Sequence, residues 1–261
     1  PVRYVIYSHA HYDHAPGGAV FADTATFVGH ENMATNLLQP ADGAPLLPLE
    51  AHWDADGNGS VEESEAPDVY ANNFVEVDLD GNGSLSRSEM WAPRFAGSPT
   101  PPPDIVYQDR MSITLGGKSV ELHYTGINHT DGMTVVLFPE ERMIYTVDHL
   151  TPKRLPRMTV DAGYSYLPDW IESLRRIEQL DVDYVSPGHE SVGTKADVSE
   201  QARYMNDLVE AVSAALEAGQ TREEIVESGR LEQYSHLMEY ERSIANNVSA
   251  VETMLRFLRG R

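Results

Sequence analysis

The sequence predicts a mixed α+β fold: two β-rich stretches and a helical C-terminal third, interrupted by an acidic insertion. Three observations carry that prediction. Short apolar runs of strand length recur at residues 2–7, 25–28 and 105–147. Helical periodicity takes over from residue 169, with Trp170, Ile171, Leu174 and Ile177 on one face of the first long segment. Two proline clusters, first Pro40, Pro45 and Pro48, then Pro99, Pro101, Pro102 and Pro103, bracket a stretch of different composition. Strands and helices do not alternate strictly, which argues against a doubly wound parallel sheet.

The elements follow in order. Val2–Tyr7 reads as a strand, Ser8–His14 as a polar loop, and Ala15–Phe21 as the start of a helix despite Gly17 and Gly18. A short strand at Ala25–Val28 precedes a helix over Glu31–Leu38. Beyond the insertion, strands are expected at Ile105–Gln108, Met111–Leu115, Lys118–Tyr124, Met133–Phe138 and Met143–Val147. Gly116-Gly117 supplies one hairpin turn and Pro139-Glu140-Glu141 another. A helix over Asp169–Gln179 leads to a short strand at Val182–Val185. Helices then span Val198–Ala218, Thr221–Glu227 and Tyr234–Leu258, the last with a stripe (Leu237, Ile244, Val248, Val251, Leu255) that reads as packing or as the face of a homodimer.

With 261 residues, 41% of them hydrophobic, the chain can bury one sizeable domain with a small module. Acidic residues number 41 against 19 Lys and Arg, a net charge of −22. Such a chain repels phosphate backbones, which argues against a nucleic-acid partner. No apolar run approaches the ~18 residues of a membrane span, so a membrane partner is not expected. Cysteine is absent, which removes thiolate catalysis and cysteine-ligated zinc; a transition-metal site must be built from His and carboxylate.

That combination is present. His9-Ala10-His11-Tyr12-Asp13-His14 places four metal-capable side chains in six residues, where an apolar strand ends. Crowded imidazoles and carboxylates disfavour one another unless a cation offsets them. His129, Asp148 and His189 each follow a predicted strand, so seven ligands lie at C-terminal strand ends. Tyr12 reads as packing within the motif.

Taken together, His9 to His14, Asn128-His129-Thr130-Asp131-Gly132, Val147-Asp148 and Pro187-Gly188-His189 resemble the metallo-β-lactamase superfamily, in that family's order. The resemblance covers residues 1–38 and 104–195 and implies a four-layer αββα sandwich with the site along one edge of its two sheets. It implies that His9, His11 and His129 bind one metal, that Asp13, His14 and His189 bind a second, and that Asp148 bridges them. Zn²⁺, two per chain, suits this N/O set, and Fe or Mn suits it as well. Two ions about 3.5–4 Å apart can share a hydroxide, so the expected activity is hydrolysis of an ester-like bond (thioester, lactone, phosphodiester or sulfate ester) in a small molecule. Asp13 is expected to orient the hydroxide and carry a proton. Asp at the bridging position, where the family's lactamases usually have Cys or Ser, ranks lactam cleavage lower. A mononuclear iron sulfur dioxygenase using His9, His11, His129 and Asp148 is a second reading, and a non-catalytic calcium-binding scaffold a third. Three departures stand out: Val147 and Asn128 replace customary glycines, and a single strand precedes the first motif where the family has several. The last implies an upstream segment that completes the fold and would carry any secretion signal.

The insertion, residues 39–103, carries a second pattern. Asp54, Asp56, Asn58, Ser60, Glu62 and Glu65 fall at positions 1, 3, 5, 7, 9 and 12 of a twelve-residue loop, with Gly59 at position 6. Asp78, Asp80, Asn82, Ser84, Ser86 and Glu89 repeat it around Gly83. The pair resembles EF-hands and implies two Ca²⁺ per chain, with Val61 and Leu85 pairing between the loops. From Glu50 to Arg94 there are eleven carboxylates and two arginines, which concentrates the acidity here. Loops filled at millimolar calcium point to a periplasmic or extracellular setting. Tyr164, Tyr166 and His149 are candidates for a substrate rim, Trp170 for an aromatic wall or core, and Lys153, Arg154 and Arg157 for a basic cluster near the site or a solvated face.

Overall fold

The computed structural model describes residues 1–11, 13–38, 40–46, 50–95, 100–156, 158 and 167–259. The chain divides into two compact units, Pro1–Gln108 and Asp109–Arg261.

The first unit opens with β1 (Tyr4–Ile6), shorter than the apolar run from which it is read. After the histidine loop, Pro16–Phe21 forms a 3₁₀ turn, not the start of an α-helix. Proline offers no amide for the helical ladder, and the two glycines that follow it weaken a helix interior. β2 (Thr26–His30) lies parallel to β1, with Tyr4 opposite Thr26 and Ile6 opposite Val28. His30 then caps α1 (Glu31–Asn36), its Nδ1 accepting the Asn32 amide at 3.2 Å. Its Nε2 lies 2.9 Å from the Gln108 carbonyl, so both ring nitrogens serve structure.

Next come β3 (Val61–Glu62), α2 (Asp68–Ala71), α3 (Phe74–Val77), β4 (Ser84–Leu85) and α4 (Arg87–Phe95). β3 and β4 pair antiparallel with Val61 opposite Leu85, the pairing read from the repeat. Trp53, Val61, Tyr70, Phe74, Val77, Leu85 and Met90 bury a small core of their own. Trp91 fastens this segment to α1 by donating from Nε1 to the Asn36 carbonyl at 3.3 Å. β5 (Ile105–Tyr107) returns parallel to β2, giving the order β1-β2-β5.

The second unit is a six-stranded sheet covered by helices. β6 (Arg110–Leu115), β7 (Lys118–Tyr124), β8 (Thr134–Phe138) and β9 (Met143–Val147) form an antiparallel meander. Gly116 and Gly117 both take positive φ in the first hairpin, as a two-residue turn of this hand requires. α5 (Leu167–Glu178) crosses over to β10 (Tyr184–Pro187), which lies parallel to β9. β10 sits two residues beyond its expected start, with Val182 buried just before it. β11 (Gly193–Thr194) completes the order β11-β10-β9-β8-β7-β6.

The C-terminal helices are α6 (Lys195–Glu217), α7 (Arg222–Ser228) and α8 (Tyr240–Arg259). Thr194 with Asp197 and Thr221 with Glu224 form capping boxes at the first two. The last helix begins six residues later than its periodicity suggests: Glu232–Tyr234 is a 3₁₀ turn, and Glu239 takes a φ of +62° just before α8. The apolar face of α5 is buried as expected, with Leu174 and Ile177 fully enclosed in one core that also takes in Met205 and Leu208 of α6 and Ile244 and Val248 of α8. Each such side chain contributes roughly 1.5–3 kcal/mol. Leu237, Ile244, Val248 and Val251 belong to this core, so the C-terminal stripe is packing. Among the described residues no helix is long and apolar enough to cross a membrane.

Candidate metal centre

In the first unit the histidine loop leaves β1 and is folded on itself by its own backbone. The His11 carbonyl accepts both the His14 amide at 3.1 Å and the Ala15 amide at 3.0 Å. Ala10 and Ala15 are buried with Tyr7, Phe27 and Met33, so a small residue between His9 and His11 and another just after His14 anchor the loop in an apolar cluster. This leaves the rings grouped. The His9 centroid lies 4.5 Å from that of His11 and 4.6 Å from that of His14. Ser8 Oγ sits 3.2 Å from His9 Nδ1, which leaves Nε2 to face a ligand. Ligand atoms of His9 and His11 approach within 4.8 Å, as do those of Asp13 and His14. His9 is buried and Asp13 is exposed.

In the second unit Asp148 follows β9, and its carboxylate faces two ways. Oδ2 lies 3.6 Å from His129 Nε2, and Oδ1 lies 3.5 Å from His189 Nε2. The chain reaches this arrangement by a local distortion. Val147 has a φ of +53°, and the β9–β10 register shifts where Pro187 meets it. The Gly188 amide donates to the Val147 carbonyl at 2.9 Å, hooking the His189 segment to the end of β9. A register shift of this kind re-aims a side chain at a strand end.

These separations test whether a metal fits. Two ligands on one tetrahedral ion, each about 2.0–2.2 Å from it, stand roughly 3.3–3.6 Å apart. His14–Asp13 at 3.4 Å, His189–Asp148 at 3.5 Å and His129–Asp148 at 3.6 Å match that edge and are longer than good hydrogen bonds. The donor set is nitrogen and oxygen throughout, as Zn²⁺, Fe or Mn accepts.

Behind His129 and Asp148 lies a buried polar network. His149 is fully enclosed, with Nε2 2.7 Å from Ser173 Oγ. It is therefore neither a surface residue nor an exposed rim residue. Burial pushes its pKa down to about 3, with a smaller contribution from His129. Ser173 Oγ also donates to Thr125 Oγ1 at 2.7 Å and accepts from Asn128 Nδ2 at 3.2 Å. Trp170 Nε1 donates to the His149 carbonyl at 2.9 Å, and Gln201 Nε2 reaches the same carbonyl at 3.3 Å. Trp170 is thus core, close to the rings of both His129 and His149. Ser173 and Thr125 escape a reading for ligands. The signal present was a serine inside the apolar stripe of α5.

The two acidic loops of the first unit fold alike. Asp54 accepts the amides of Asn58 and Gly59 at 2.9 and 2.8 Å; Asp78 accepts those of Asn82 and Gly83 at 3.1 and 2.9 Å. Gly59 and Gly83 have φ of +91° and +86°, which other residues rarely adopt. Asp54, Asp56 and Glu65 offer oxygens within 4.8 Å of one another, and so do Asp78, Asp80 and Glu89. Arg154 is engaged by Glu190 at 2.6 Å, so it is held in an ion pair. Tyr12, Arg157, Tyr164 and Tyr166 lie outside the described residues.

Imidazoles and carboxylates set at strand ends of a mixed sheet protein define a metal-binding class of site. The model of the Metallo-beta-lactamase superfamily matches residues 1–189, and the chain belongs to that family. It is 26% identical over 196 residues to the 2,4-dinitroanisole O-demethylase subunit alpha of Nocardioides sp. (strain JS1661), a match covering 72% of this chain and 40% of the relative. The chain thus spans less than half of that relative's length. A metallo-beta-lactamase family protein of Thermus thermophilus superposes with a TM-score of 0.55 and 19% identity, over 99% of this chain and 74% of that one. A stereoselective inverting sec-alkylsulfatase of Pseudomonas sp. superposes with a TM-score of 0.58 and 13% identity, over 97% of this chain and 41% of that one. The fold is therefore the α+β fold of this superfamily.

Proposed function

We propose that this chain is a binuclear metal-dependent hydrolase of small molecules. In this reading His9, His11 and His129 hold one ion, Asp13, His14 and His189 hold a second, and Asp148 serves both. The observation that carries it is the carboxylate of Asp148, which presents one oxygen to His129 and the other to His189. A mononuclear iron dioxygenase would use only the His129 side, so the second pairing favours two ions. Bound there, the ions would supply Lewis acidity at the scissile bond and bring the pKa of water near neutral. Asp13, being exposed, would orient the attacking water and take up its proton. Membership of the superfamily supports a hydrolytic reaction. The ester-like substrate class rests on Asp, in place of Cys or Ser, at position 148. An aryl methyl ether joins the candidate substrates because one relative is named for demethylating 2,4-dinitroanisole.

The loops at 54–65 and 78–89 form, in the same proposal, an EF-hand pair that binds two Ca²⁺ through Asp54, Asp56, Asn58, Ser60, Glu62 and Glu65 and their counterparts Asp78 to Glu89. Support comes from the twelve-residue spacing occurring twice, the glycines at positive φ and the Val61–Leu85 pairing. A calcium-loading module of this acidity suits a periplasmic or extracellular setting.

Elemental analysis of the purified protein, with an ester, lactone, phosphodiester, sulfate, lactam and aryl-ether panel, tests both parts. The expected content is two transition-metal ions and two calcium ions per chain. Asp148→Ala should lose transition metal and at least 100-fold in activity while keeping calcium. Glu65→Gln with Glu89→Gln should do the reverse for metal content. One iron per chain with oxygen-dependent turnover would replace the hydrolase with the dioxygenase.

A further inference from the structure

Ser173 stands where two ligand-bearing segments meet. Its Oγ lies 2.7 Å from His149 Nε2, 3.2 Å from Asn128 Nδ2 and 2.7 Å from Thr125 Oγ1. Asn128 directly precedes His129, and His149 directly follows Asp148. All four network residues, Thr125, Asn128, His149 and Ser173, are at most 4% exposed. Asn128 further donates to the Gly126 carbonyl at 2.8 Å, bracing the turn that delivers His129. One turn before Ser173, Trp170 holds the His149 carbonyl. The hydroxyl therefore joins the loop of one ligand to the loop of another through a rigid twelve-residue helix.

We propose that Ser173 is a positioning residue that sets the spacing of His129 and Asp148. The hydrogen-bond logic is specific. A serine hydroxyl carries a single hydrogen, and here it donates to Thr125 while accepting from Asn128. His149 Nε2 must then be the donor in its contact with Ser173. Its Nδ1 is buried with no hydrogen-bond partner among the described residues, so Ser173 is what fixes the tautomer. Without the hydroxyl, two buried donors lose their acceptor and the two loops are no longer cross-linked. Partners of this kind behind metal ligands typically change metal affinity 10–100-fold.

The functional weight of this proposal rests on the metal-centre reading above; the geometric claim does not. The test compares the full chain with Ser173→Ala, which deletes only the hydroxyl, and with Val212→Ala, a core truncation in α6 outside the network. Zinc affinity is read by chelator competition, and ligand geometry by the visible spectrum of the cobalt-substituted protein. Ser173→Ala is expected to weaken zinc binding at least 10-fold and to alter the cobalt spectrum. Val212→Ala should leave both unchanged at an equal or greater loss of melting temperature. Ser173→Ala with parental affinity and spectrum would overturn the proposal, as would an equal effect from Val212→Ala. If the parent chain binds no zinc, the metal-centre reading fails. Crystal structures of parent and Ser173→Ala then decide the geometry: a His129–Asp148 separation unchanged by the substitution overturns positioning, and a widened one supports it.

Discussion

At the scale of single residues, Val147 shows most directly how the chain is bent to place the carboxylate of Asp148. A β-branched residue at a φ of +53° is a steric outlier, of a kind that persists where surrounding structure enforces it and that amounts to about 1–3 kcal/mol. The distortion lies immediately before Asp148 and re-aims its carboxylate. Replacing Val147 by Gly removes a buried side chain but relieves the strain. Val185 is equally buried in the adjacent strand at an ordinary φ. Urea denaturation should show Val147→Gly to be at least about 1 kcal/mol less destabilising than Val185→Gly. Equal losses would mean that Val147 is not strained. The seven candidate ligands of the proposed metal centre were legible because strand ends followed by His or Asp are visible as pattern. The hydroxyl of Ser173 was not, because a serine in an apolar helical stripe differs from a neutral packing residue only once its partners from other segments are known.

At the scale of elements, periodicity located α5, α6, α7 and α8 and most strands of the described residues, and it failed at boundaries where tertiary demands intervene. The Pro16–Phe21 turn and the late start of α8 show this: local propensity extends a helix until proline, glycine or a left-handed residue stops it. α7 and α8 are joined by a contact no periodicity reveals. Glu252, 1% exposed, lies 2.5 Å from Arg222 and also pairs with Arg256. Burial alone would raise its carboxyl, but the two guanidinium groups outweigh it and hold its pKa below the ordinary 4.5. The folded value being depressed, this contact stabilises the fold above pH 4.5 and ceases to do so as pH falls through the folded value. Both arginines are about half exposed, so solvent screening limits the effect to about 1 kcal/mol. Glu252→Gln should therefore lower stability by that order at pH 7 and by much less at pH 3, measured by denaturant titration at both. A loss independent of pH would assign the effect to packing.

At the scale of the whole molecule, charge dominates. A net −22 with eleven carboxylates between Glu50 and Arg94 makes like-charge repulsion a standing load on the folded chain. Monovalent salt screens it over about 10 Å at 0.1 M. Raising NaCl from 0.05 to 0.5 M in calcium-free buffer should lift the melting temperature by roughly 2–4 °C, equivalent to about 1 kcal/mol. A fall would show that the ion pairs, weakened by the same salt, outweigh the repulsion.

On α5, the residues that build the core and the residue that steadies the ligand loops share one face. Trp170, Ile171, Leu174 and Ile177 fill the interior, and Ser173 is set among them. Selection for solubility and selection for turnover will consequently converge on the same few codons. A growth-based mutational scan will score this face as uniformly intolerant, and only in vitro assays of metal loading can tell a misfolded variant from a well-folded but slack one.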